Sequence, residues 1–181
     1  MCGIIGITSS KEVTNRIINS LKKLEYRGYD SAGIATLNKG YINEIKCEGR
    51  VERLEQNISK ANLQGNIGIG HVRWATHGKP SSVNAHPHSS DKVSVVHNGI
   101  IENSTILKKV LEKKGYQFKS QTDTEVIAHL VTDYLKRNNL KNTIIKVLKK
   151  LHGSFALGII FEDQPDLLIG ARRGSPLAVG Y

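Results

Sequence analysis

Strand-like runs in this chain come in pairs joined by tight turns, and the helical stretches between them come in pairs as well. Residues 32–37 and 41–48 flank Asn38-Lys39-Gly40, and residues 154–161 and 167–172 flank the turn at Gln164-Pro165-Asp166. Short apolar runs bounded by such turn residues read as hairpins. The strand–helix–strand rhythm that a parallel sheet requires is missing. The chain is therefore expected to build antiparallel sheets with segregated helices, a layered α+β domain.

The remaining segments fit that plan. Gly3–Thr8 reads as a short, nearly continuous apolar strand, and residues 67–74 and 93–97 as two more. Ser9-Ser10-Lys11-Glu12 has the form of a capping box, and the helix it is expected to open carries Val13, Ile17, Leu21 and Leu24 on one face. A short helix carries Val51, Leu54 and Ile58. Asn103 or Ser104 is expected to cap a helix bearing Ile106, Leu107, Val110 and Leu111, which Gly115 closes. Thr122-Asp123-Thr124-Glu125 has the form of a second capping box, before Val126, Ile127, Leu130, Val131 and Tyr134. Residues 142–151 read as a further helix. Residues 75–91 form a long polar connection without periodicity, the kind of loop that tends to carry function. Residues 177–181 are expected to start one more strand. That strand has no successor, so the chain is expected to stop inside its domain and to leave a sheet edge open, a route to a homodimer.

Composition excludes several classes. With 181 residues and 39% hydrophobic content the chain has enough material for one sizeable core. No apolar run approaches the ~18 residues of a membrane span, and the N-terminus lacks the basic leader of a signal peptide. Neither a membrane nor an exported location is expected. Two cysteines, Cys2 and Cys47, are too few for a disulfide framework, which fits a reducing cytoplasm. The net charge of +10 raises nucleic acid as a partner. The lysines fall on the polar faces of the expected helices, however, and aromatic residues are too sparse for a stacking groove. No nucleic-acid partner is expected. His71, His77, His86, His88 and His97 match no zinc spacing, so no metal and no cofactor is expected.

Four places could carry chemistry. Cys2 follows Met1 directly, and Met before so small a residue is normally cleaved. The mature chain would then offer a thiol nucleophile and an α-amine base on one residue. Arg73 and Trp74 stand at the mouth of the long loop, where a guanidinium can hold a carboxylate through paired hydrogen bonds, or simply pack at a strand end. Asn98-Gly99 is a strong hairpin signal, or else an amide and a backbone N–H for an oxyanion. Asp123 suits a helix N-terminus, or an ammonium.

Taken together these residues resemble the glutamine-hydrolysing half of class II glutamine amidotransferases, which are N-terminal-nucleophile (Ntn) hydrolases. Within that class the chain is similar to the glutamine–fructose-6-phosphate aminotransferase family. The matching stretches are Cys2-Gly3-Ile4-Ile5-Gly6, Leu24 through Gly33, His71 through Gly78, Asn84 through His88, His97 through Asn103, and Thr122 through Glu125. They span most of the chain in the family's order. The resemblance implies a four-layer αββα sandwich of antiparallel sheets with the C-terminal part of the domain missing. It implies that residues 1–181 are an incomplete glutaminase domain lacking the sugar-phosphate isomerase domains that are its partners. It further implies Cys2 as nucleophile, with its own α-amine shuttling protons, and Asn98 and Gly99 as oxyanion donors. Arg73 would hold the glutamine α-carboxylate, Thr76 and His77 would line that end, Asp123 would hold the α-ammonium, and Trp74 would lie over the ammonia path. The substrate is then L-glutamine, with the ammonia destined for glucosamine 6-phosphate. The alternatives are the glutaminase half of another class II amidotransferase, or an inactive remnant acting as a basic interaction module.

Overall fold

The computed structural model describes residues 2–75 and 78–180, so Thr76 and His77 lie outside the described residues. In chain order the elements are β1 (Gly3–Thr8), α1 (Thr14–Leu24), a single 3-10 turn (Glu25–Arg27), β2 (Ser31–Asn38), β3 (Tyr41–Glu48), α2 (Val51–Ala61), β4 (Ile67–Arg73), β5 (His88–Ser90), β6 (Val93–Ile101), α3 (Ser104–Glu112), α4 (Glu125–Leu135), α5 (Leu140–Lys150), β7 (Gly153–Phe161) and β8 (Leu168–Arg173). They form two four-stranded sheets, ordered β1-β4-β2-β3 and β5-β6-β7-β8. Every strand pairing within them is antiparallel.

Three apolar clusters stack these elements into helix, sheet, sheet and helix layers. Val13, Ile17, Leu21, Leu54 and Ile58 seal α1 and α2 onto the first sheet. Leu111, Val126, Leu130 and Val147 seal α3 to α5 onto the second. Ala35, Leu37, Ile67, Ile69, Val96 and Ile160 join the sheets. The four-layer αββα sandwich is thus present.

Strand β4 shows how the sequence divides its two faces. Side chains alternate along a strand, and Gly68 and Gly70 fall on the face under α1, where an added Cβ would press into Ile17. Their missing side chains let the helix sit close. The opposite face carries Ile67 and Ile69 between the sheets and then, toward the strand's end, His71 and Arg73, all buried.

Local details depart from expectation at several points. Neither capping box forms. Helix α1 starts at Thr14, where Glu12 accepts the Thr14 N–H, and the residue before α4 makes no side-chain cap. Asn103 likewise makes no cap for α3. Its side chain bridges to Lys150 and His152 instead. Helix α5 begins earlier than expected, capped by Asn139 onto the Asn142 N–H. Asn98-Gly99 makes no hairpin turn, because β6 runs straight through it, paired with Ala156 and Phe155 of β7. The long polar connection contains β5, a strand too short to show a period. Residues 176–180 form no strand, although Gly174 bridges to Phe155. Among the described residues no helix is long and apolar enough to cross a membrane.

Candidate active site

The site forms where the strands of both sheets end. Cys2 immediately precedes β1, Arg73 closes β4, and the pairing of Gly3 with Val72 sets these two ends side by side. Cys2 Sγ lies 3.4 Å from the Trp74 backbone N–H and 3.6 Å from the Trp74 carbonyl. Arg27 donates from Nε to the Cys2 carbonyl at 2.9 Å. Burial raises the Cys2 thiol above its ordinary pKa, against the opposing pull of the Trp74 N–H and the Arg73 charge. A thiol held in that way is largely protonated at neutral pH and needs a base to become a nucleophile.

The turn that follows α1 braces this corner. Asp30 accepts the Ala75 N–H and the Ser31 hydroxyl, and its carboxylate stands 4.0 Å from the Arg73 guanidinium. Gly28 lies against the Arg73–Trp74 backbone so closely that a Cβ would overlap it. Arg73 also donates to the Gly78 carbonyl at 2.9 Å. The guanidinium is buried and its fork direction is set. Trp74 is 49% exposed, with its ring edge-on to Tyr29 at the rim.

Strand β6 contributes the opposite wall. β5 pairs with β6 only as far as Val95, so among the described residues no strand lies beside the β6 edge from His97 to Ile101. The segment before α4 takes that place. Ile101 donates its N–H to Asp123 Oδ2 at 2.7 Å, and the His97 carbonyl accepts from His71 Nε2 at 2.9 Å. Backbone groups of alternate residues point to the same side of an antiparallel strand, so the Gly99 N–H points to this open edge too. Gly99 has φ +149°, a conformation that L side chains rarely adopt, and a Cβ there would run into the Ser154 carbonyl. Only glycine fits.

Cys2, Arg73, Trp74, Gly99 and Asp123 together line one small cavity of about 20 Å³, with His86, His97, Thr122 and Thr124 completing its wall. Five of the eight residues singled out from the sequence thus converge. Asn98 does not line the cavity. It shares a pleat face with Val96, which packs toward the first sheet. Thr76 and His77 lie outside the described residues.

Sequence reasoning passed over several residues that build the site, namely Arg27, Asp30, Thr124 and Glu125. Arg27 and Asp30 stood inside a turn and within a family-matching stretch, but with no role attached to either. Glu125 looked like a capping residue. Instead it accepts from the Lys119 and Ser120 N–H groups and the Ser120 hydroxyl. Burial alone would raise its pKa, but these bonds and His129 hold it down to about 2. The histidines form a buried layer behind the cavity, with His71 stacked on His86 at 4.0 Å and His86 edge-on to His88. Burial holds His71 and His88 down to about 3 and lowers His86 well below its ordinary value. Burial also lowers His97, despite the pull of Asp123. Among the described residues no group of three or more His, Cys, Asp or Glu side chains is placed to hold a metal.

A thiol, a guanidinium, a carboxylate and a backbone N–H thus surround one cavity of an αββα sandwich of the Ntn-hydrolase type. Residues 71–178 match the glutamine amidotransferase domain model, and the chain belongs to that family. It is 54% identical to the glutamine–fructose-6-phosphate aminotransferase (isomerizing) of Clostridium acetobutylicum over 99% of this chain and 30% of that protein. The enzyme of the same name from Bradyrhizobium diazoefficiens is 52% identical over 100% of this chain and 30% of its own length. The chain thus spans about a third of the length of these curated relatives. Among solved structures, the glutamine phosphoribosylpyrophosphate amidotransferase of B. subtilis superposes with a TM-score of 0.76 at 32% identity, over 90% of this chain and 35% of that one. A glutamine aminotransferase class-II domain protein from Silicibacter pomeroyi shares the fold, with a TM-score of 0.63 at 14% identity over 97% of this chain and 78% of that one.

Proposed function

We propose that this chain hydrolyses the side-chain amide of L-glutamine to glutamate and ammonia, as the ammonia-supplying part of glucosamine 6-phosphate synthesis from fructose 6-phosphate. The observation that carries the reading is the meeting of Cys2, Arg73, Gly99 and Asp123 around one cavity. In this reading Met1 is removed and the freed α-amine takes the Cys2 proton. An α-amine titrates near ~7.7–8.0, close enough to neutrality for that role. The thiolate adds to the amide carbon, and the Gly99 N–H receives the oxyanion at the cavity wall, with the Asn98 amide as a second donor from the adjoining face of β6. The tetrahedral adduct collapses as the amine returns its proton to the leaving nitrogen, releasing ammonia and leaving a thioester on Cys2. Water then cleaves the thioester to give glutamate and regenerate the thiol. Arg73 holds the α-carboxylate and Asp123 the α-ammonium, with Thr76 and His77 at the carboxylate end and Trp74 at the rim over the ammonia path.

The high identity to the sugar-phosphate enzymes over almost the whole chain favours their acceptor over the purine-pathway one. Residues 1–181 are then the N-terminal part of a glutaminase domain, and sugar-phosphate isomerase domains are its partners. A reducing cytoplasm keeps the Cys2 thiol available. The test is glutamate and ammonia release from glutamine compared with amides that lack the α-amino or α-carboxylate group. Buried charges left unpaired penalise the incomplete amides heavily. Glutamine is expected to be the only good substrate; equal hydrolysis of simple amides would contradict the Arg73 and Asp123 roles.

A further inference from the structure

Hydroxyl groups hold the segment that presents Asp123 on both sides of that residue. Thr122 Oγ1 lies 3.0 Å from His88 Nε2. Thr124 Oγ1 lies 2.8 Å from His86 Nε2 and 2.9 Å from His97 Nδ1. Thr124 and both of its imidazole partners are buried, and the remaining ring nitrogens, His86 Nδ1 and His97 Nε2, are buried without a hydrogen-bond partner among the described residues. Among these residues Thr124 Oγ1 is therefore the one side-chain hydrogen-bond contact of each ring.

A hydroxyl has one proton to give and lone pairs to receive. Set among His86 Nε2, His97 Nδ1 and Asp123 Oδ1, the last at 3.5 Å, it can give that proton to only one of the three. At least one of the ring nitrogens facing Thr124 must then be protonated and donate to the hydroxyl. No apolar side chain can replace this joint, and an amide would need space that the buried wall does not offer.

The position of the joint gives it consequence. His86 belongs to the connection that follows Arg73, and His97 to β6, two residues before Gly99. Asp123 is the neighbour of Thr124 and is itself tied to the β6 edge through the Ile101 N–H. A shift of Thr124 displaces the Asp123 carboxylate against both walls. We infer that Thr124 is a positioning residue for glutamine binding: its shared hydroxyl locks His86 and His97 together and so sets where Asp123 meets the substrate ammonium. The inference rests on the glutaminase reading above.

The first test is long-range ¹⁵N–¹H NMR of the histidine rings in the wild-type chain at neutral pH. At least one of His86 Nε2 and His97 Nδ1 is expected to carry a proton; two bare nitrogens would overturn the joint. The second test is kinetic. Thr124→Val is expected to raise KM for glutamine about tenfold, as for a weakened charged contact, with a much smaller change in kcat. Thr124→Ser, which keeps the hydroxyl, is expected to return KM to near the wild-type value. An unchanged KM in Thr124→Val, or equal impairment in Thr124→Ser, would overturn the positioning role. If Thr124→Val does not fold, the wild-type spectrum and the serine variant decide. A wild-type chain without glutaminase activity would instead count against the function itself, while the spectrum still judges the joint.

Discussion

The layer between the two sheets has two ends made from the same strands and built on opposite principles. At one end Leu37, Ile67, Ile69, Val96 and Ile160 close an apolar seam. At the other, the continuation of β4 buries His71 and Arg73, and His86, His97, Asp123 and Thr124 pack beside them at the β6 edge. The crossover falls between Ile69 and His71, neighbours on one face of β4. The apolar end gains free energy from burial and tolerates similar shapes. The polar end is held by paired groups, although His71, His86 and His97 each bury one ring nitrogen without a hydrogen-bond partner among the described residues, and each further lost partner leaves a desolvated group behind. One strand therefore runs from an apolar seam at one end into the candidate site at the other.

Substitutions at each end should separate those two roles. The largest effect on chemistry is expected from Cys2→Ala, with turnover of glutamine abolished and the thermal melting temperature nearly unchanged; hydrolysis near the wild-type rate would remove Cys2 from the mechanism. The largest effect on stability is expected from Ile69→Ala at the apolar end, a loss of about 2–5 kcal/mol in urea unfolding. The folded fraction of that variant should keep its KM for glutamine, and a KM change would show that the two ends are not separable.

Asp123→Asn keeps the shape of the polar end and removes its charge. It should raise KM for glutamine about 10- to 100-fold, the worth of a charged hydrogen bond, in steady-state kinetics. The milder fourth effect is one of pH. His71 and His88 are held at about 3 in the fold by burial, whereas an unfolded chain protonates its histidines near ~6.5. The unfolded state then binds more protons between these values. Stability should be complete above about pH 6.5 and fall as the pH drops toward 3. The urea midpoint measured from pH 7.5 down to 5 should decrease, and a flat profile would mean that the histidine layer is not buried in its neutral form.

The same contrast explains what could be read from the sequence. The apolar end and the helix seams follow from period, because Ile17, Leu21, Leu54 and Ile58 repeat at helical spacing and the hairpins announce themselves by their turns. The fold class was legible for that reason. The polar end has no period. Asn98-Gly99 carries a turn signature that β7 overrides by pairing straight through it. Thr122-Asp123-Thr124-Glu125 has the spelling of a cap, yet Thr122, Asp123 and Thr124 are spent on tertiary contacts, and Glu125 turns back to Lys119 and Ser120. Local preference loses at such places because burial makes the distant partner worth more. The chemical candidates Cys2, Arg73, Gly99 and Asp123 could still be found, through their chemistry and a family resemblance. Their braces, Arg27, Asp30 and Thr124, are ordinary residue types whose roles exist only once the strands are assembled.

The central claim is that Cys2 is the nucleophile of a formed glutamine site. It is tested most directly by intact-mass and peptide-mapping measurements before and after exposure to an electrophilic glutamine analogue. The account predicts a chain lacking Met1 that gains a single adduct on Cys2, with excess glutamine preventing the reaction. A retained Met1, or a Cys2 that stays unmodified while the chain is folded, would contradict it.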